Sequence, residues 1–322
     1  MPSALDIVAA RRRLERHVPP TPLQASAWLA DPSGGMVLLK LESVNLTHSF
    51  KIRGAFNALL RLTEAGRASP PLPTVVAASA GNHGRAVAYA AECLGLKAVV
   101  FTPATAPRTK RDAIRRHGAT LHDHAADYDA AERQARAFAD AHGGVFVSAY
   151  NDPDVIAGAG TIGLEIVEAC PEVGVVVVPL GGGGLGSGVG LALDAAAPRA
   201  RVVGVEAAAS TPFTTGLARG AITRIEPGPT LADGLAGNLE DGAMTFALVQ
   251  RYVDEVVAVS EGEIIEAMRG LAADDHLIVE GSAAVAAAAV ASGRVAKGTG
   301  PIVAIVSGAN IDLGTLLGAL GA

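Results

Sequence analysis

The chain has 322 residues, half of them hydrophobic, with 26 basic and 32 acidic side chains spread along it and a net charge of −6. That is enough apolar mass for a sizeable core in more than one lobe, with neither the basic stripe of a nucleic-acid binder nor a basic membrane face. Cys93 and Cys170 stand far apart, which excludes a disulfide framework or a zinc ribbon and points to a reducing compartment; with no leader pattern and no run of the roughly 20 apolar residues needed to span a bilayer, a cytoplasmic protein is expected.

From the N-terminus, Arg11-Arg12-Arg13 precedes Glu15 and reads as a solvated helix face. A strand is expected at Met36 to Leu41. Lys51 then stands where a polar-to-apolar switch begins a helix, with Ile52, Ala55, Phe56 and Leu59 at helical spacing. An ammonium group in the first turn is partly desolvated and feels the positive end of the helix dipole. Both effects disfavour the charged amine and favour a nucleophile; the plain alternative is a solvated lysine at a helix start. Pro70-Pro71-Leu72-Pro73 reads as a linker.

Thr74 to Ala78 is the next expected strand, Ser79-Ala80-Gly81-Asn82-His83-Gly84 a turn, and Arg85 to Leu94 an alanine-rich helix stopped by Gly95. Such a turn aims backbone N–H groups at an anion such as a ligand carboxylate, and Asn82 adds an amide for a phenolic or hydroxyl oxygen. An ordinary tight strand-to-helix turn has the same pattern. Further strands are expected at Ala98 to Thr102, Thr120 to His122 and Val145 to Val147. His117, His122 and His124 lie on or beside one of these strands. They give no helix-face pair for a metal and read as surface histidines.

Val175 to Pro179 is a buried parallel strand that feeds Gly181-Gly182-Gly183-Gly184-Leu185-Gly186-Ser187-Gly188. Consecutive glycines let several amides converge on one phosphate, or merely permit close strand–helix packing. Gly181, Gly183 and Gly186 also satisfy G-x-G-x-x-G, and Glu206 closes the next strand, Val202 to Val205, near the spacing of a ribose-binding acid. A dinucleotide-dependent oxidoreductase is therefore a rival reading. Strands at Glu255 to Val259 and Ile302 to Val306 flank an alanine-rich helix at Ala283 to Ala291. The alternation predicts an α/β protein with doubly wound parallel sheets in two lobes.

The lysine, the SAGNH turn and the tetraglycine loop, in this order, resemble the serine and threonine dehydratase branch of the pyridoxal-phosphate enzymes, which share the tryptophan-synthase-β type of fold, fold type II. The resemblance runs from Thr21-Pro22-Leu23 through Val155-Ile156-Ala157-Gly158 to Val306-Ser307-Gly308-Ala309-Asn310. It implies a pyridoxal 5′-phosphate cofactor between a large domain, residues 1–72 and 151–322, and a small domain, residues 73–150. By the same resemblance Lys51 is the Schiff-base lysine, Phe50 packs near the cofactor ring and Asn82 meets the cofactor's 3′-oxygen. Gly181, Gly182, Gly183, Gly184 and Leu185 cradle its phosphate, and Ser307 meets the pyridine nitrogen. Ser79, Ala80, Gly81, Asn82 and His83 hold the substrate carboxylate, and Glu280 matches an acid close to the cofactor without an assigned role.

The activity so implied is β-elimination and deamination of a small L-β-hydroxy amino acid, threonine or serine, to a 2-oxo acid and ammonia by a homodimer, with no nucleic-acid or membrane partner. An amino-acid racemase of the same family is the alternative. In such racemases a serine at the position of Ala80 serves as the second base, and an alanine methyl supplies no proton, so elimination is expected. The chain ends at Ala322, soon after Ser307, which implies no C-terminal effector module and insensitivity to isoleucine. His48, where relatives carry a small residue, is expected either to alter the pocket beside Lys51 or to serve as a hydrogen-bonded wall. Some relatives bind a divalent cation through an acid matching Glu206 and a second acid six residues later. That position is Pro212, and no metal is expected.

Overall fold

Two parallel sheets organise the chain in the computed structural model, which describes residues 1–30, 35–66, 72–79, 81–296 and 299–321. The strands are β1 (Leu23–Ala25), β2 (Val37–Leu41), β3 (Val75–Ala78), β4 (Ala98–Pro103), β5 (Thr120–Ala125), β6 (Val145–Phe146), β7 (Val175–Pro179), β8 (Arg201–Ala207), β9 (Glu255–Val259) and β10 (Ile302–Val306). The helices are α1 (Ala4–Leu14), α2 (Lys51–Gly66), α3 (Asn82–Leu94), α4 (Arg108–Arg115), α5 (Tyr128–His142), α6 (Pro153–Ala169), α7 (Gly184–Ala196), α8 (Pro212–Arg219), α9 (Met244–Tyr252), α10 (Glu261–Ala273), α11 (Gly281–Ala291) and α12 (Leu313–Leu320).

The larger sheet has the order β1-β2-β10-β7-β8-β9, parallel except for β1, which runs antiparallel to β2. β7 and β10 are buried along their whole length, which explains their unbroken apolar sequence: both faces are covered, by α6 and α7 on one side and α10 and α11 on the other. The smaller sheet, order β5-β4-β3-β6, is wholly parallel, with α5 on one face and α2 and α3 on the other. α2 thus belongs to the core beneath the small sheet as well as to the packing of the large one.

Parallel sheets bind ligands beyond the carboxyl ends of their strands, where the strand order reverses. In the small sheet that point lies between β3 and β6, and the chain continues there as Ser79-to-His83 and as Val147-to-Asn151. In the large sheet it lies around β2, β10 and β7, whose ends lead to Lys51, Ser307 and the glycine loop.

Several sequence expectations need correction. β1 was not expected; it has three residues and takes its place only by pairing with β2. Arg11-Arg12-Arg13 is not simply a solvated face, because Arg11 pairs with Glu165 at 3.0 Å and Glu168 at 2.9 Å, and Arg13 with Glu64 at 3.0 Å. Of the three expected surface histidines, His124 is exposed, whereas His117 and His122 are half-buried beside the rings of Tyr89 and Phe101, at ring-centroid distances of 5.2 and 4.6 Å. Pro70 and Pro71 of the expected linker lie outside the described residues, as does Ala80. Among the described residues no helix is long and apolar enough to cross a membrane.

Candidate active site

A cavity of about 440 Å³ lies between the two sheets, within the usual range for a small-molecule site. Phe50, Lys51, Ser79, Gly81, Asn82, His83, Gly181, Gly182, Gly183, Gly184, Leu185 and Ser307 all line it. The residues singled out from sequence therefore converge on one space, although they are spread over more than half of the chain.

Lys51 is the first residue of α2. The turn before it is tied to the end of β10: the Phe50 N–H donates to the Ser307 carbonyl at 3.0 Å and the Ala309 N–H to that of His48 at 2.9 Å. The Lys51 ammonium donates to the Ala149 carbonyl at 2.7 Å, just past β6. Burial pulls its pKa down to about 8, with the Glu280 carboxylate opposing the shift. His48, expected at the pocket, is exposed and does not line the cavity; it has φ 56°, so its backbone makes the left-handed turn that swings the chain into α2.

The SAGNH segment starts α3 with Gly81 in the cap position, where no side chain takes the first-turn N–H groups. Asn82 is fixed at both ends: its Nδ2 donates to Glu280 Oε1 at 2.7 Å, and its Oδ1 accepts from Asn310 Nδ2 at 2.6 Å. One hydrogen on Nδ2 remains for a ligand. His83 is buried with Nε2 2.9 Å from the Val147 carbonyl, which makes that nitrogen the protonated one. Burial, reinforced by the charge of Lys51, lowers its pKa to about 3, so the ring is neutral and Nδ1 is an acceptor with no partner in the protein among the described residues.

The glycine loop lines the same cavity as Lys51. Gly183 has φ 85° and caps α7 without a side chain, leaving the N–H groups of that helix's first turn free. A Cβ on Gly182 would lie 2.3 Å from Cγ of Tyr150, so the ring of Tyr150 rests directly on the loop. The Tyr150 hydroxyl accepts the Glu240 N–H at 3.0 Å, which holds the ring there. A loop of bare amides at a helix N-terminus suits a dianionic phosphate. With the Lys51 amine in the same cavity and a hydroxyl, Ser307, at the end of β10, these residues fit a pyridoxal phosphate.

Tyr150, Tyr128, Asp233, Leu235 and Asn238 also line the cavity and were not read from sequence. They sit in loops or at a helix start, where no periodicity marks them. Glu206, the candidate ribose acid, lies elsewhere. Fully buried, its carboxylate accepts from the N–H of Phe213 at 2.7 Å, the N–H of Thr214 at 2.9 Å and the Thr214 hydroxyl at 2.6 Å, at the start of α8. It anchors a helix, and the dinucleotide reading loses its acid.

Glu280 is buried at the cavity wall, and burial pushes its pKa up to about 7 against the hydrogen bond from Asn82. Between its ordinary value and about 7 the folded chain binds more protons than the unfolded one, so this residue costs stability as pH rises through that window and the cost is complete above it. Glu280→Gln keeps the acceptor for Asn82 and removes the charge. In the cofactor-free protein it is expected to raise stability at pH 8 by on the order of 2 kcal/mol and to change little at pH 4. Urea denaturation at the two pH values checks this; an equal effect at both would show that Glu280 does not titrate in that range.

A model of the family described as pyridoxal-phosphate dependent enzymes matches residues 14–308. The chain is 44% identical over 308 residues to a protein of Thermotoga maritima named L-threonine ammonia-lyase, covering 96% of this chain and 75% of that one. Among solved structures, a threonine deaminase of T.th. superposes with a TM-score of 0.87 at 36% identity, covering 97% of this chain and 99% of that one. Maize serine racemase superposes with a TM-score of 0.91 at 31% identity, covering 99% and 97%.

Proposed function

The chain belongs to the family of pyridoxal-phosphate dependent enzymes, and from that premise we propose that it is an ammonia-lyase that converts L-threonine, L-serine or both to the 2-oxo acid and ammonia. The observation that carries this reading is Lys51, half-buried at the start of α2 with its amine on the Ala149 carbonyl, in the same cavity as a bare glycine loop. The likeness to proteins named for threonine ammonia-lyase and threonine deaminase supports the substrate class.

When bound, the cofactor supplies an electron sink for negative charge at the substrate's Cα. The residues that would hold it are Lys51, Phe50, Asn82, Gly181 to Gly184, Leu185 and Ser307. The chain's own work is positional. The N–H groups at the start of α3, with Ser79, are the donors for the substrate carboxylate. Lys51, an amine titrating near 8 rather than in the ordinary lysine range, serves as the base that takes the Cα proton. His83, neutral, adds no charge beside it. The net reaction removes the Cα proton and the β-hydroxyl as water and then returns water to carry off the amino group as ammonia.

Elimination needs one base, whereas racemisation needs a proton donor on each face of Cα. Ala80 provides none. L-Threonine or L-serine is expected to give ketoacid with little D-isomer in the remaining substrate, read by ketoacid assay and chiral chromatography on a panel of β-hydroxy amino acids. D-isomer forming as fast as ketoacid would favour the racemase instead, and no ketoacid from any member would end the lyase reading. A cytoplasmic homodimer belongs to the same reading: the two cysteines, both free, support the reducing compartment, and the dimer rests on the family resemblance alone; light scattering tests it.

A further inference from the structure

Arg53 follows Lys51 by two residues on α2 and so points about 200° away from it, to the side of the helix opposite the cavity. It is buried to 1% exposure and makes two forked pairs. Its Nε and Nη2 each donate to Glu42 at 2.8 Å, and its Nη1 and Nη2 to Glu165 at 2.6 and 2.9 Å. Thr161 Oγ1 accepts from Nη1 at 3.2 Å. Lys40, also buried, donates to Glu165 at 2.5 Å and to the Thr21 carbonyl at 2.7 Å. One guanidinium thus ties α2 to α6 and to the end of β2.

The backbones of the two helices touch at the same level. A Cβ on Gly158 of α6 would lie 2.6 Å from the Arg53 carbonyl oxygen, and one on Gly54 would lie 2.9 Å from that of Val155. Ala149, which accepts the Lys51 hydrogen bond, shortly precedes α6. The register of α2 on α6 therefore sets where the lysine amine sits. A buried ionic network is a poor source of net stability, since well-packed apolar groups commonly do as well or better; what rigid forks provide is a fixed geometry.

We propose that Arg53 is a positioning residue for Lys51, holding the first turn of α2 in register with α6 through its forks to Glu42 and Glu165. This rests on the role given to Lys51 above. Arg53→Lys keeps the charge and loses the fork. With the lysine free to leave the Ala149 carbonyl and meet water, two changes are expected. In the full chain stripped of cofactor, competitive labelling of amines with mass spectrometry should place Lys51 of the wild type near 8 and that of the variant closer to the ordinary lysine range. In the holoenzyme kcat should fall about 10- to 100-fold with little change in KM, as for a catalytic group displaced by up to about 1 Å.

Leu271→Ala, in the core of the large sheet, is the control: it should lower stability while leaving the lysine titration and kcat as in the wild type. If Arg53→Lys proves too unstable to purify, Thr161→Val removes one acceptor of the same guanidinium and should move both readouts in the same direction by less. Unchanged titration and kcat in the folded variant, despite a stability loss like that of the control, would overturn the proposal alone. A wild-type Lys51 that labels as an ordinary lysine, or from which borohydride traps no cofactor in the holoenzyme, would instead overturn the reading of Lys51 on which it rests.

Discussion

Lys51→Ala is expected to abolish turnover, with ketoacid release down by at least about 10³-fold, because the change removes both the amine that links the cofactor and the base that takes the Cα proton. The protein should lose its borohydride-reducible visible absorption at the same time. It should still fold: the Lys51 amine has one hydrogen-bond acceptor in the protein among the described residues, the Ala149 carbonyl, which water can satisfy in the variant. The lysine itself opposes folding in the cofactor-free chain. Its folded pKa, about 8, lies below the ordinary value of 10.5, so the unfolded chain binds the extra proton. The penalty is full below pH 8 and shrinks as pH rises from there toward 10.5. Cofactor-free Lys51→Ala should accordingly be at least as resistant to urea as the wild type at pH 7. A variant that retains substantial turnover, or that loses activity only by unfolding, would remove Lys51 from the chemistry.

The next largest effect is expected at Gly182. An added methyl would stand 2.3, 2.5 and 2.8 Å from three atoms of the Tyr150 ring, inside any contact that atoms tolerate. The ring cannot swing aside without giving up the Glu240 N–H, so the glycine loop must shift and its amides lose their aim. Overpacking of this kind costs about 1–3 kcal/mol, and a cofactor that depends on the loop should bind roughly 10- to 100-fold more weakly in Gly182→Ala. Removing the obstacle should restore much of the affinity, so Gly182→Ala with Tyr150→Ala is expected to bind pyridoxal phosphate better than Gly182→Ala alone. Gly314→Ala, where nothing lies within 4 Å of the added methyl, should bind as the wild type does. Fluorescence or absorbance titration of the stripped protein gives the affinities. Equal affinity for Gly182→Ala and the wild type would mean that the loop is not the phosphate cradle.

Local patterns were legible wherever a residue's environment follows from its neighbours in the chain. The valine run of β7 could only be a strand covered on both faces, and both faces are covered. Gly95, expected as a stop, caps α3 with φ 67°. The Ser49-to-Ala55 heptad placed Lys51 in a first helical turn, and it is the first residue of α2. Where the outcome depends on a partner far along the chain, sequence reading failed. Glu206 was misread even with near partners: it had the spacing of a ribose acid, yet its carboxylate is consumed by Phe213 and Thr214, seven and eight residues on, at the start of α8. Arg11 looked solvated and instead reaches Glu165, 154 residues away. Arg53 was not singled out from sequence, although a cation two residues beyond a lysine that begins an apolar-faced helix could have prompted a search for buried acids.

By itself, then, the sequence determined the alternation of strands and helices, the two glycine-bearing turns and the lysine, because propensity, periodicity and turn chemistry act over a few residues. Tertiary structure alone decided which of these meet. Lys51 finds the Ala149 carbonyl 98 residues away, and Asn82 finds Glu280 198 residues away. Burial in the packed chain then lowers the lysine toward 8 and raises Glu280 toward 7. Desolvation and pair distances are properties of the packed chain, and no local pattern encodes them.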